Sequence, residues 1–118
     1  MRTLKSLTII ATLISASAMA AFKPMECQTN FGEKSFTIQG STVAFKRDKE
    51  DGRSISSVLE SATKVTHSGF DKVVYKDGNK HLIHINNVKR FNSNNDFLAV
   101  TSPKGHKMTF PINCSLLE

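Results

Sequence analysis

The sequence predicts an all-β fold: a small antiparallel barrel or sandwich of about seven short strands, with room for one short helix near residues 54–63. Three observations carry this. Apolar residues alternate with polar ones through 35–46, 70–85 and 96–112; Gly, Pro, Asp and Asn punctuate these runs; and the two cysteines, Cys27 and Cys114, stand near opposite ends of the chain.

Residues 1–20 carry Arg2 and Lys5, then an uncharged apolar stretch, then Ala18-Met19-Ala20. This is the order of a cleavable secretory signal, with the cut expected after Ala20. The apolar stretch is shorter than the about 20 residues that span a bilayer, and no other run is long enough. Cys27 lies behind Pro24, Met25 and Glu26, so no cysteine is placed for lipid attachment at the new terminus. The expected product is one exported domain over 21–118, periplasmic or extracellular. Loss of Arg2 and Lys5 lowers Lys plus Arg from 16 to 14 against 10 Asp plus Glu, a charge of +4 in place of +6. In an oxidising compartment an isolated cysteine pair joins. A Cys27–Cys114 bridge would enclose nearly the whole domain and contribute about 4–5 kcal/mol by loop entropy.

Within 35–46, Phe36 and Ile38, then Val43 and Phe45, mark two half-buried strands, with Gly40 permitting the turn between them. Residues 46–53 are almost all charged and are expected in a solvated loop. Segment 54–63 supports two readings. Ile55, Val58, Leu59 and Ala62 fall on one face of a helix, while four serines and β-like flanks favour a strand. Between Phe70 and Ile85, two β-rich runs flank Asp77 and Gly78, a pair suited to a tight hairpin turn. In the second arm His81, Ile83 and Ile85 share one face, and Leu82 and His84 the other. An asparagine-rich loop follows around Phe91, then a strand over 96–101, a turn at Pro103, Lys104 and Gly105, and a last strand toward Cys114. Pro111 cannot donate to a central ladder, so that strand is expected at an edge or with a bulge there.

The residues argue against most catalytic chemistry. His81 and His84 point to opposite faces of a strand and cannot share a metal. No serine sits in a nucleophile elbow, the acids are dispersed among loops and turns, and the 6 glycines stand singly, with no phosphate cradle. No catalytic residue, metal site or cofactor is assigned. Asn113-Cys114-Ser115 matches a glycosylation sequon but overlaps the expected disulfide, and is taken as incidental.

The basic residues point elsewhere. Lys104, His106 and Lys107 project from a turn, and Lys89 and Arg90 precede Phe91. Such groups can meet phosphate, sulfate or carboxylate. A charge of +4 without an aromatic groove argues against nucleic acid. The first expectation is a non-catalytic exported β domain whose partner is an anionic envelope polymer or a protein, with Lys89, Arg90, Lys104, His106 and Lys107 as contact residues. An unrecognised hydrolase is a further alternative.

Another alternative comes from a short resemblance. Ser68 and Gly69, followed by Asp71, Lys72, Val73, Val74, Tyr75 and Gly78, resemble the Ser-Gly segment and following aromatic strand of bacterial C-type lysozyme inhibitors. The resemblance implies an exported β-barrel inhibitor of a foreign enzyme, with the turn at 67–70 as its inserting loop. The chain departs from that pattern after Gly69, where Phe70 begins a strand.

Overall fold

A computed structural model describes residues 22–32, 34–48 and 54–117, apart from the side chains of 47, 48, 54 and 55. The segment read as a secretory signal and residues 49–53 of the expected charged loop lie outside the described residues, while Lys46, Arg47 and Asp48 are not loop but the end of a strand paired with residues 54–56. Nine strands follow one another: β1 (Met25–Thr29), β2 (Ser35–Gln39), β3 (Thr42–Asp48), β4 (Ser54–Glu60), β5 (Ala62–Val65), β6 (Phe70–Lys76), β7 (Asn79–Ile85), β8 (Phe97–Thr101) and β9 (Lys107–Leu116). All pair antiparallel in the order β4-β3-β2-β1-β9-β8-β7-β6-β5, and no helix occurs among the described residues.

The two ends of that order are β4 and β5, yet only Ser61 separates them in the chain. Glu60 still pairs with Thr42 of β3, while Ala62 already pairs with Val73 of β6. One extended segment therefore leaves one edge of the sheet and joins the other, which turns the sheet into a nearly closed barrel. The seam is tied by polar groups. Ser61 donates to Ser41 O through both its N–H (2.8 Å) and its hydroxyl (2.7 Å). Lys72 points inward from β6, and its ammonium donates to Thr63 Oγ1 (2.6 Å), Gly40 O (2.7 Å) and Ser61 Oγ (3.3 Å).

Segment 54–63 is thus strand, not helix. Its helical spacing loses to the ladder it completes, since a helix here would leave all seven residues of β3 without a partner on that side. Val58, on the helical apolar face, stays exposed. Together β4 and β5 raise the count from the seven strands expected to nine.

The alternation read in the other segments matches the observed faces. Phe36, Ile38, Val43, Phe45, Phe70, Val74, Ile83, Ile85, Leu98 and Ile112 fill the barrel with Met25 and Cys27. Gly40 (φ 58°) makes the β2–β3 turn, and Asp77 and Gly78 (φ 55° and 80°) make the β6–β7 hairpin, both in the left-handed region that such turns require. Cys27 and Cys114 are disulfide-bonded and directly opposite in the β1–β9 ladder, with Cα atoms 4.1 Å apart. That close approach belongs to the non-hydrogen-bonded type of antiparallel pair. The bridge locks the first strand to the last in the middle of the sheet order.

Pro111 shows how the last strand tolerates a proline. β9 as a whole is internal in the order, but among the described residues it pairs with β1 only from Ile112 onward and with β8 only up to Pro111, so the edge expected at Pro111 is present over its upper half. Pro111 stands where the strand changes partner, and its absent N–H interrupts no ladder.

Candidate functional site

Successive connections in an antiparallel meander fall at alternate ends. The upper end collects the β1–β2 turn, the adjoining ends of β3 and β4 at Asp48 and Ser54, the hairpin at Asp77 and Gly78, and the β8–β9 turn. The lower end collects Phe22, the β2–β3 turn, Ser61, the turn after β5, the long β7–β8 connection and Leu117.

This geometry separates the basic residues expected to act together. Lys104, His106 and Lys107 lie at the upper end, and Lys89 and Arg90 at the lower. The upper turn is built by Ser102: its N–H donates to His106 O (2.8 Å), its carbonyl accepts from Gly105 (2.9 Å), and its hydroxyl accepts from the His106 N–H (3.1 Å). Lys104, His106 and Lys107 are all exposed on it.

The upper end also holds a cleft of about 560 Å³ lined by Lys34, Lys46, Lys76, Ser35, Ser57 and Tyr75 around Phe45. Lys46 reaches Glu26 at 3.2 Å and Lys76 reaches Asp77 at 2.9 Å. Both pairs are solvated, and such pairs hold their partners loosely. The Lys76 ammonium also lies 5.7 Å from the Phe45 ring centroid. Beneath, His81 points into the barrel, meets Phe45 edge-on at 5.3 Å, and donates from Nδ1 to Asn79 O (3.1 Å). Burial pushes the His81 imidazole below its ordinary 6.5, and Lys34 and Lys76 add to the effect, opposed by the Asn79 carbonyl and Asp77. The cleft is a polar, cationic bowl on an aromatic floor. It suits an anion with some apolar surface.

His84 takes the other face of β7, as its sequence position implied. Its Nδ1 is 2.6 Å from Asp71 Oδ1 on the neighbouring strand, and its ring stacks on Phe97 at 5.0 Å. This is a cross-strand pair on the barrel's outer wall. Among the described residues no group of three or more His, Cys, Asp or Glu could hold a metal ion, and no helix is long and apolar enough to cross a membrane.

The lower end is packed. Asp96 is buried, and its two carboxylate oxygens accept from the N–H groups of Asn86 and Asn92, both at 2.9 Å. Asn87 and Asn92 cap their own turns through Lys89 N–H and Asn94 N–H. Phe22 lies 5.1 Å from Phe70 between ring centroids. The Ser68-Gly69 turn lies against the β7–β8 connection: Ser68 O accepts from Val88 N–H (3.0 Å), and a Cβ on Gly69 would overlap the carbonyl of Ile85. Gly69 serves close packing. Two shallow grooves flank this region, and Lys89 contributes to both.

The sequence reading missed Lys34, Lys46 and Lys76 as a group. They come from the approach to β2, from β3 and from β6, and only the barrel brings them together. The available signal was strand direction, since each stands near the upper end of its strand.

Fold and site define a small, disulfide-linked, nearly closed antiparallel β-barrel with a lysine-lined cleft at its upper end. Comparison with known protein families, curated proteins and solved structures finds no match to this chain.

Proposed function

We propose that this chain is an exported, non-catalytic β-barrel that binds an anionic envelope or extracellular component through its upper end. The observation that carries the reading is the cleft in which Lys34, Lys46 and Lys76 surround Phe45, at the same end as Lys104, His106 and Lys107. Export is supported by the pattern of residues 1–20 and by the compartment that disulfides favour. Among the described side chains, Glu26 and Asp77 are the acidic groups set against these cations, paired with Lys46 and Lys76. Between β3 and β4 in the chain, residues 49–53 are neutral by composition, with Lys49 and Arg53 against Glu50 and Asp51.

The test is retention of the domain 21–118 on immobilised dextran sulfate across a salt gradient. Replacing Lys34, Lys46 and Lys76 together with Gln should weaken retention about tenfold in apparent affinity, with a shallower salt dependence. Replacing Lys89 and Arg90 at the opposite end should change it by less than about twofold. Equal losses from the two ends would defeat the assignment to the upper end.

A further inference from the structure

Among the described residues, the upper half of β9 has a strand neighbour on one side only. β8 covers Lys107 to Pro111, but β1 stops at Thr29, opposite Ile112, and the chain then turns back into β2. Hydrogen-bond parity tells which backbone groups this leaves. Ser102 N–H donates to His106 O at the top of the ladder, and Ile112 N–H donates to Asp96 O at its base. The residues of β9 that face β8 are therefore the even-numbered ones, Met108 and Phe110 among them. Lys107 and Thr109 turn both N–H and C=O the other way, where no described strand lies, and Pro111 turns its carbonyl there.

We propose that this edge accepts an extended acidic polypeptide as an added strand. The backbone groups of Lys107 and Thr109 supply the ladder, as in other strand-addition complexes. The charge comes from Lys104, His106 and Lys107, all exposed beside the edge. Alternating side chains of the incoming strand would meet two different surfaces. Those facing outward lie beside Lys107, while those facing inward meet Met108, which is 62% exposed. Phe31, 91% exposed in the turn beyond β1, stands at the foot of the edge. A second copy of this chain brings the same positive charge to the contact, and the proline and lysine in the edge are residues that resist self-pairing. The proposal rests on the cationic upper end for its charge, but it names a different contact from the lysine cleft.

The test is a titration of the isotope-labelled domain 21–118 with a capped peptide of alternating glutamate and valine. Lys107 and Thr109 amide resonances should shift and their hydrogen exchange should slow, while an alternating lysine and valine peptide leaves both unchanged. Thr109→Pro removes one outward N–H without touching the β8 ladder, at the same parity as the native Pro111. It should weaken the acidic peptide about tenfold, whereas Thr109→Ala stays within about twofold. Equal binding by the proline variant overturns the proposal, as do unmoved amides at 107 and 109 in the wild type. A concentration-dependent dimer abolished by Thr109→Pro would assign the edge to a second copy and overturn it too. Loss of strand addition with dextran sulfate retention intact removes this contact alone; loss of both removes the reading of the upper end as well.

Discussion

The two ends of this barrel solve the same problem in opposite ways. At the lower end the loop backbone is tied down: Asp96 gathers Asn86 and Asn92, Asn87 and Asn92 cap their own turns, and Gly69 lets two backbones touch. At the upper end the lysines are solvated, Tyr75 and Phe31 face water, and half of β9 has an open side. Polar groups satisfied inside the protein stabilise it, and polar groups left to solvent are available to a partner. In the proposed function the lower end is the foundation and the upper end the working surface. Substitutions should therefore separate cleanly, costing stability below and binding above.

The largest effect is expected at Gly69. Any side chain there drives a Cβ into the Ile85 carbonyl, with the Asn86 carbonyl a further 2.8 Å contact. Backbone cannot swing aside as a flexible side chain can, so Gly69→Ala should lower stability by about 3 kcal/mol or more. Urea denaturation of the two proteins measures it, and a difference under about 1 kcal/mol would show that the junction is looser than its geometry. Asp96→Ala comes next. It strands two N–H donors beneath the β7–β8 connection and should cost about 2–3 kcal/mol, with faster exchange at the Asn86 and Asn92 amides. If Asp96→Ala left those amides protected, the carboxylate would not be what organises the lower end.

The ease of reading these ends from sequence also differs. Local devices were legible: Asp77 and Gly78 as a hairpin, Gly40 as a turn, the shared face of His81, Ile83 and Ile85, and the cysteine pair. Each depends on neighbours in the chain or on an elementary count. The closure was not legible. β4 and β5 carry exposed residues on both faces, so neither period dominates, and their strand character comes from β3 and β6 waiting on either side. Lys72 was given no structural role from sequence, yet the seam gives its ammonium three oxygen partners and burial lowers its pKa from 10.5. The cationic cleft was hidden for a related reason. Its lysines are scattered in sequence, whereas the chain-adjacent pairs that drew attention, Lys89 with Arg90 and Lys104 with Lys107, end up at opposite poles. Asp96 sat beside an asparagine-rich stretch that announced a loop, but nothing local showed that its carboxylate would be the loop's anchor.

The smallest predicted effect concerns the boundary between working surface and core. His81 sits under the cleft with its Nδ1 proton committed to Asn79 O and its ring against Phe45. The unfolded chain takes up a proton on this residue near its ordinary 6.5, whereas the folded barrel, through burial and the nearby Lys34 and Lys76, takes it up only at lower pH. Between those values the unfolded state binds more protons, so stability rises with pH there. The His81 contribution is complete above about pH 6.5 and is lost as pH falls through the folded value. His81→Phe keeps an aromatic ring against Phe45 and removes the titration. Melting curves from pH 7.5 to 5 should show the wild type losing stability on acidification more steeply than the variant. An anion bound among Lys34, Lys46 and Lys76 would offset the cations that depress His81, so dextran sulfate should shrink the difference between the two slopes. Parallel slopes without ligand would mean that the imidazole titrates alike in the folded and the unfolded chain, and that its place under the cleft does not disfavour the charged form.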